Sequence, residues 1–537
     1  MARRGLPEDD TSDLGAKAAR GGLIGVGAQL VAMALQLANV AVMSRLLAPQ
    51  DFGLVAMAAT IVAFIELFRE LGLTIATIQR DRIDQDTVSG LFAINLGVGI
   101  LLMAVAMGVS PLAAAVFGDE RVATLIVAIS LTLPVAAAGA QQEALLNRQM
   151  RWLTLRWTGL TAQALGILVG IAAAVAGAGT WALVANSWTM VLASTVLIWM
   201  VSSWRPSWVR DWSGALSTLG FGLALTGFNL MQYMERQFDN ALIGWRWGAT
   251  ELGFYSRAYG LLLLPQSVVM GPLTVAVLPA LSRLQNRPQE WASLILQWLR
   301  LTSLFTFCAA AVVIANASDV TRIVLGAQWG EAAVILSLLG WSMIARAFVA
   351  ANVWVFISLG TTRRMFAWHL ATLPAYLIAY FVGVEYGAEG VAVGFAVAFC
   401  ATALPSIAFA VRGTSLSTWA VVRACLPLAG LAVALIVAAP LWRLELVGDE
   451  LDVVRGLVNI VVTGGLYAFG ASVVVALDPT YDARAILRRL RASLPARRGT
   501  SAPLPVGTAS PQDVAPVSPR TVDPPAVPGT LPADARP

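Results

Sequence analysis

The chain is 537 residues long, 58% apolar and only 12% charged, with a mean hydropathy of +0.73. Soluble domains carry about a quarter charged residues and their cores stop growing at roughly 250–300 residues, which excludes a single water-soluble fold. The formal charge of +5 is spread over short arginine clusters between apolar runs, a pattern of membrane topology that excludes a basic nucleic-acid groove.

A hydrocarbon core about 30 Å thick needs roughly 20 apolar residues per helix. Runs of that kind lie near 21–47, 52–78, 88–110, 121–146, 155–176 and 179–201. Six more follow near 215–245, 252–281, 291–316, 331–359, 365–384 and 389–411, and two near 419–441 and 455–477. The sequence therefore predicts an all-α integral membrane protein with about 14 transmembrane helices. The first run is too long for a signal-peptide core and is read as the first span. The seventh is interrupted by charges, and the eighth carries Pro265, Pro272 and Pro279. Pro134, Pro265 and Pro272 free backbone carbonyls and are candidate bending points.

Arginine orients the spans. Arg3, Arg4, Lys17 and Arg20, then Arg80 and Arg82, Arg148 and Arg151, and Arg205 and Arg210 fall on one side. Arg283 and Arg287, Arg363 and Arg364, Arg412, and finally Arg484, Arg488, Arg489 and Arg491 continue the same side. The opposite loops carry single arginines (Arg45, Arg121, Arg246, Arg322) or none (Ala176–Thr180 and Glu385–Gly390), except the last, where Arg443 and Arg455 stand among Glu445, Asp449, Glu450 and Asp452. That acidic loop reads as a solvated hairpin. Both termini are expected on the cytoplasmic side of a bacterial inner membrane.

Residues 495–537 hold eleven of the 25 prolines and read as a disordered cytoplasmic tail. Residues 481–494 form a basic juxtamembrane segment, either an amphipathic helix on the anionic leaflet or a stop-transfer cluster. Cys308, Cys400 and Cys425 stand far apart inside apolar runs and read as small buried hydrophobes. No cofactor and no metal site is expected.

An internal repeat appears at an offset of 200 residues. Gly22, Leu23, Gly27, Leu30, Ala41, Gly53 and Ala58 meet Gly222, Leu223, Gly227, Leu230, Ala241, Gly253 and Ala258. Gln29, Gln36 and Asn39 fall opposite Asn229, Arg236 and Asp239, each set on one helical face. Six spans separate the copies, so both run in the same direction. The expected organisation is a cytoplasmic segment (1–20), an N-lobe of six helices (21–201) and a C-lobe of six helices (202–411). Two appended helices follow (412–480).

Three stretches carry a family likeness. Ser44-Arg45-Leu46-Leu47-Ala48-Pro49-Gln50-Asp51-Phe52-Gly53-Leu54 resembles the first inter-helix turn of Wzx-type polysaccharide and O-antigen flippases. Leu252-Gly253-Phe254-Tyr255-Ser256-Arg257-Ala258-Tyr259 resembles their eighth-helix entry, and Leu278-Pro279-Ala280-Leu281-Ser282-Arg283-Leu284-Gln285 its exit. The resemblance covers roughly residues 15–480 and places the chain in the multidrug/oligosaccharidyl-lipid/polysaccharide flippase superfamily. It implies two lobes in alternating access that move an undecaprenyl-pyrophosphate-linked oligosaccharide outward. The implied partners are that lipid-linked oligosaccharide, membrane lipid, and a polysaccharide polymerase or export machinery.

Ionised residues inside a bilayer cost on the order of 3 kcal/mol and usually face a cavity or a partner. Arg236, Arg257, Arg346 and Arg69 are the candidate pyrophosphate ligands, because a guanidinium pairs two phosphate oxygens and stays charged. Gln29, Gln36, Asn39, Asn229, Gln232 and Asn240 are the candidate sugar-binding stripe, with Tyr233, Trp245, Tyr255 and Tyr259 available for stacking. Glu66, Glu70, Glu235 and Asp239 are the candidate ion-coupling carboxylates. Each set has a structural alternative: Glu66–Arg69–Glu70 as a self-neutralised cluster, Arg236–Asp239 as a salt bridge between lobes, and Arg257 as a gate or packing residue. His369 reads as an interfacial histidine or a proton relay. Rival functions are a peptidoglycan-precursor flippase and a small-molecule multidrug exporter. A membrane enzyme is disfavoured, because the inter-span loops are short and hold no acid–base or phosphate-binding platform.

Overall fold

The computed structural model describes residues 14–69, 77, 83–216, 219–442 and 452–477, and the side chains of all of these but 14–26, 216, 219–229, 232, 236 and 266–276. The expected tail, the basic segment 481–494 and most of the acidic loop, including Glu445, lie outside the described residues. Described residues form helices and their connections. In chain order these are α1 (Leu14–Leu46), α2 (Pro49–Glu66), α3 (Gln85–Phe117), α4 (Glu120–Ser130), α5 (Thr132–Arg148), α6 (Trp152–Val175) and α7 (Thr180–Val201). Next come the short α8 (Ser213–Leu216) and the 65-residue α9 (Leu219–Arg283). The remainder are α10 (Pro288–Ala315), α11 (Ala317–Val324), a 3-10 turn (Ala327–Trp329), α12 (Gly330–Ser358), α13 (Thr362–Val384), α14 (Gly387–Val411), α15 (Thr418–Ala438) and α16 (Asp452–Leu477).

Helix is the expected answer in lipid, where every backbone polar group must be satisfied within its own segment. Twelve of these helical stretches are long and apolar enough to cross a membrane. They coincide with the expected spans one, three to six and nine to fourteen to within a turn or two at each end, although α1 begins earlier than expected, at Leu14; α2 ends at Glu66, whereas the second expected run continues to 78, largely outside the described residues. The expected seventh and eighth spans both fall in α9, which breaks at Gly248, where φ is +84°. Leu112, Val175, Ile378, Val397 and Phe469 are all exposed. So many large apolar groups on a surface call for a lipid solvent.

Local chemistry sets the ends. Pro49 occupies the first turn of α2, and Asp51 reaches back to accept from the Ala48 N–H at 3.0 Å. Gly118, in the left-handed region, stops α3. Asp119 then opens α4 by accepting from the Arg121 N–H at 2.9 Å, and the Arg121 guanidinium holds its carboxyl below the usual range. Pro134 divides the fourth span, because a proline ring clashes with the carbonyl four residues before it. Helix α4 accordingly ends at Ser130, and α5 starts at Thr132.

Helices α1 to α7 pack chiefly on one another, as do α9 to α14, with α15 and α16 set against α10 and α11. Across the two groups, α2 lies along α9. At one end they meet closely: a Cβ on Gly53 would collide with the Ala249 carbonyl, and one on Gly253 with the Pro49 carbonyl. These four residues are equivalent in pairs under the offset of 200 residues, so the repeat closes on itself.

Polar groups then lock this contact. Gln328 Nε2 donates to the Ser44 and Leu47 carbonyls at 2.6 and 3.0 Å, and the Trp329 indole donates to Ser44 O at 2.8 Å. In return Arg45 donates to the Ile323 and Val324 carbonyls at 2.5 and 3.0 Å. Phe52 and Phe254 meet the Trp329 ring edge-on at 5.4 and 5.8 Å. Trp247 adds a bond to the Val384 carbonyl at 2.6 Å. This end, hereafter the latch, is closed.

The last helix is tied to the same end. Asp452 pairs with Arg322 and, at 2.9 Å, with Arg455, and Arg455 stands 3.9 Å from Asp319. Asn459 donates to Asp319 at 3.2 Å, and Asn316 to Thr463 at 3.1 Å. Asp452, expected in a solvated hairpin, is only 7% exposed. Its sequence neighbours are charged, but Arg322 reaches it from α11, a contact that no local pattern announces.

Two outcomes follow from this packing. Gly53→Val or Gly253→Val forces a side chain onto a backbone carbonyl, which weakens the closed latch by about 1–3 kcal/mol or more. In a protein whose native cysteines are replaced, thiol labelling at Ala332→Cys, buried beside the latch, should then speed up by roughly tenfold or more. Asp452→Ala leaves two guanidinium groups without their shared carboxylate. We expect a loss of about 2–3 kcal/mol, less than for a fully buried pair because Arg322 is partly exposed. The thermal midpoint in detergent reads it, and Asp452→Asn should lose less.

Candidate functional site

Helix α12 starts at the latch and carries Arg346 about 24 Å along its axis, at 1.5 Å per residue. Around that level and beyond, α9, α10, α12, α13 and α14 leave a cavity of about 310 Å³. Its charged members are Glu235, Arg346 and His369, one from each of three helices. His369 Nδ1 lies 3.0 Å from both carboxylate oxygens of Glu235, so the imidazole donates from that nitrogen. The Tyr380 hydroxyl donates to the Glu235 backbone carbonyl at 2.8 Å, anchoring α9 to α13. Arg346 rests its guanidinium over the Phe399 ring at 4.8 Å and the Phe395 ring at 5.6 Å. Those flat faces hold the side chain extended toward the cavity while adding cation–π attraction.

Aromatic rings separate the cavity from the latch. Tyr255 stacks on Tyr259 at 6.2 Å, Tyr259 meets Phe395 at 5.8 Å, and Phe395 meets Phe399 at 5.8 Å. Asp239 lies behind this wall, one turn along α9 from Glu235. It is buried and accepts from the Tyr255 hydroxyl at 2.6 Å and from the Asn240 N–H at 2.8 Å. The Asn240 amide donates to Gln237 at 2.6 Å.

Of the expected pyrophosphate ligands, only Arg346 is found in the cavity among the described side chains. Arg257 lies at the latch, 4.5 Å over the Phe52 ring, and its buried Nε has no hydrogen-bond partner among the described residues. Arg69 pairs with Glu66 at 2.9 Å at the far end of α2. The side chain of Arg236 lies outside the described residues, as does Glu70.

The expected sugar stripe is divided in the same way. Gln29 is half-buried on α1. Gln36 accepts from Gln163 at 3.5 Å, and Asn39 accepts from Asn186 at 3.2 Å, so both join α1 to α6 and α7. Polar bonds of this kind fasten helices together in lipid. The side chains of Asn229 and Gln232 lie outside the described residues. Tyr233 donates to the Thr60 carbonyl, across from α9 to α2, and Trp245 is exposed.

Sequence reasoning did not bring His369 and Glu235 together, nor single out Asn352, Tyr380, Gln328 and Trp329. One signal was available for the first pair: His369 is the only histidine in the chain, and it sits in an apolar run. For the others the residue types are unremarkable, and only packing gives them a role.

Comparison with known proteins adds three findings. The family described as "Polysaccharide biosynthesis protein" matches residues 42–334, more than half of the chain and including every residue of the latch from Ser44 to Trp329. The succinoglycan biosynthesis transport protein ExoT of Rhizobium meliloti (strain 1021) is 25% identical over 310 residues, 57% of this chain and 62% of that protein. The lipopolysaccharide biosynthesis protein WzxC of Escherichia coli (strain K12) is 22% identical over 318 residues, 58% of this chain and 64% of that one. The teichuronic acid biosynthesis protein TuaB of Bacillus subtilis (strain 168) is 24% identical over 315 residues, 58% and 65%. The chain thus spans less than two thirds of the length of these relatives.

Among solved structures, the lipid II flippase MurJ in an inward closed conformation superposes with a TM-score of 0.68, over 84% of this chain and 98% of that one. At 13% identity the likeness is one of fold. With the match across the latch, the resemblance seen in the three sequence stretches is borne out, and this multi-pass, all-helical membrane protein belongs to the polysaccharide biosynthesis protein family.

Proposed function

We propose that the protein moves an undecaprenyl-pyrophosphate-linked oligosaccharide, a repeat unit of an exopolysaccharide, O-antigen or capsule, from the inner to the outer leaflet of a bacterial cytoplasmic membrane. The single observation that carries this reading is the asymmetry along the membrane normal. One end is sealed by the reciprocal Gly53–Ala249 and Gly253–Pro49 contacts, while a cavity holding intramembrane charges lies toward the other. A transporter that exposes its site to one side at a time needs this arrangement. A bilayer-embedded charge with no task would be costly to retain.

In this reading the lobes 21–201 and 202–411 rock against each other, with both termini cytoplasmic, and the latch is the outer gate. Arg346 meets the pyrophosphate, to which a guanidinium offers two parallel donors. Release follows when the outer ends part and the Ser44, Leu47, Ile323 and Val324 carbonyls exchange their protein donors for water. The names of the relatives, one of them a succinoglycan biosynthesis transport protein, support a cargo of this class. The reading is of a transporter rather than an enzyme, and its partners would include the polymerase or export machinery that receives the cargo.

Coupling to an ion gradient would run through Glu235. Its carboxylate and His369 join α9 to α13, so loading or unloading a cation there changes the attraction between two helices of one lobe. Glu66, paired with Arg69, and Asp239, bonded to Tyr255, do not line the cavity.

Reconstitution tests both statements. In liposomes carrying a labelled undecaprenyl-pyrophosphate oligosaccharide on one leaflet, wild-type protein should give an impermeant reagent access to the lipid over time. Arg346→Ala should slow that access at least tenfold, about 1.4 kcal/mol or more, and Arg346→Lys should retain part of it. No protein-dependent movement of any such lipid would overturn the function. For coupling, Glu235→Gln and His369→Gln should each abolish the acceleration produced by an imposed proton or sodium gradient. Acceleration that persists in both variants removes Glu235 from that role.

A further inference from the structure

The cavity has more to offer than its charges. Beyond Arg346, on the order of 9 Å farther along α12 at 1.5 Å per residue, its wall changes character. Asn352 is 4% exposed, and its amide nitrogen donates to the Ser406 hydroxyl at 2.5 Å. Its Oδ1 is buried with no hydrogen-bond partner among the described residues. Leaving such an acceptor unmade costs about 1–3 kcal/mol, which a hydroxyl donor on a bound molecule would offset.

Aromatic faces line the same cavity, Trp368 among them and, back at the level of Arg346, Tyr376 and Phe399. Trp368 is braced against Phe409 at 5.3 Å and an interplanar angle of 32°, which fixes the orientation of the indole. Tyr376 and Phe399 lie 6.5 Å apart edge to face, and the Tyr376 hydroxyl is within 3.3 Å of Thr402 Oγ1. A carbohydrate ring presents apolar C–H faces and a rim of hydroxyl donors. A carbonyl acceptor, hydroxyls and rigid aromatic faces in one cavity match both parts of that surface. The alternative fits less well. A polyprenyl chain gains nothing from an unmet amide oxygen, and a cavity of about 310 Å³ is at the small end of ligand-sized sites.

We infer that this part of the cavity, formed by Asn352, Ser406, Trp368, Tyr376 and Thr402, is a carbohydrate subsite that takes a sugar near the pyrophosphate of the cargo. The inference rests on the proposed function and deepens it: Arg346 holds the anionic link common to all such lipids, while the subsite reads the glycan.

Binding to protein in nanodiscs tests this with two kinds of probe. One is undecaprenyl pyrophosphate without sugar. The other is the same lipid carrying glucose, galactose, N-acetylglucosamine or glucuronic acid. Wild-type protein should bind at least one glycosylated probe tenfold or more tightly than the bare lipid, about 1.4 kcal/mol. Asn352→Leu and Trp368→Ala should each bring that probe down to the bare-lipid affinity. Because Asn352 is buried and its replacement can disturb packing, the milder Thr402→Val should show the same loss in part, with an unchanged thermal midpoint. Equal affinity of wild-type protein for bare lipid and every glycosylated probe overturns the subsite, as does a preference that survives both Asn352→Leu and Trp368→Ala. Either result leaves intact a scrambling activity that depends on Arg346. Failure of the protein to move any of these lipids overturns the function itself.

Discussion

A helix leaves its last four carbonyls without partners, and at the edge of a bilayer water is not reliably there to take them. In this protein those carbonyls are the fastening. The end of α1 offers Ser44 O and Leu47 O, which receive Gln328 and Trp329 from the turn before α12. The end of α11 offers Ile323 O and Val324 O, which receive Arg45 from α1. Each helix terminus is thereby completed by the other, and the positive guanidinium stands where the helix dipoles favour it. Apolar attraction alone would not hold two sets of helices together in lipid, since hydrocarbon tails are as apolar as the side chains. Close backbone approach at Gly53 and Gly253, where no Cβ intervenes, adds the dispersion contacts that donors and acceptors need in order to meet.

This fastening organises the rest. Helix α12 leaves the latch and delivers Arg346 and Asn352 to the cavity, while α9 passes from the latch break at Gly248 back to Glu235 on one side and on to Tyr255 and Tyr259 on the other. The aromatic wall formed by Tyr255, Tyr259 and Phe395 keeps latch and cavity apart. The appended α16 braces α11, whose carbonyls hold Arg45, through Asp452, Arg455 and Asp319. A charge network at that position links the last described helix to the end of the first.

Two settings stand out among the described charges. Glu66 with Arg69, three residues apart, and Asp319 with Asp452, Arg322 and Arg455, neutralise one another, and the second group fastens α16 to α11. Glu235, His369 and Arg346 face a common space, with opposite signs on different helices. The difference is one of access rather than of residue type. A paired group locked between helices contributes to the scaffold, whereas the same kind of group at a cavity wall is available to a cargo or an ion.

Much of this was legible in the sequence, and for a clear reason. Spans depend on the count of apolar residues against a bilayer of known thickness, so the helices from Gln85–Phe117 to Asp452–Leu477 lie close to the expected runs. The repeat was legible because Gly53 and Gly253 must be glycine for backbones to touch, whichever partner they meet. Arg346 was legible as a costly charge in mid-membrane. What the sequence could not decide is which costly groups meet. Gln36 and Asn39 read as a sugar-binding stripe but bond to Gln163 and Asn186 on neighbouring helices, because an amide serves a helix partner as readily as a sugar hydroxyl. His369 read as interfacial, yet finds Glu235 across 134 positions of sequence. Asp452 read as solvated, yet is buried by Arg322 and Arg455. Sequence by itself determined where the helices run and which residues were too expensive to leave alone, since both follow from transfer from water to lipid, residue by residue. Only the tertiary structure decided their partners, because pairing depends on the rotation and depth of one helix against another, which no local pattern contains.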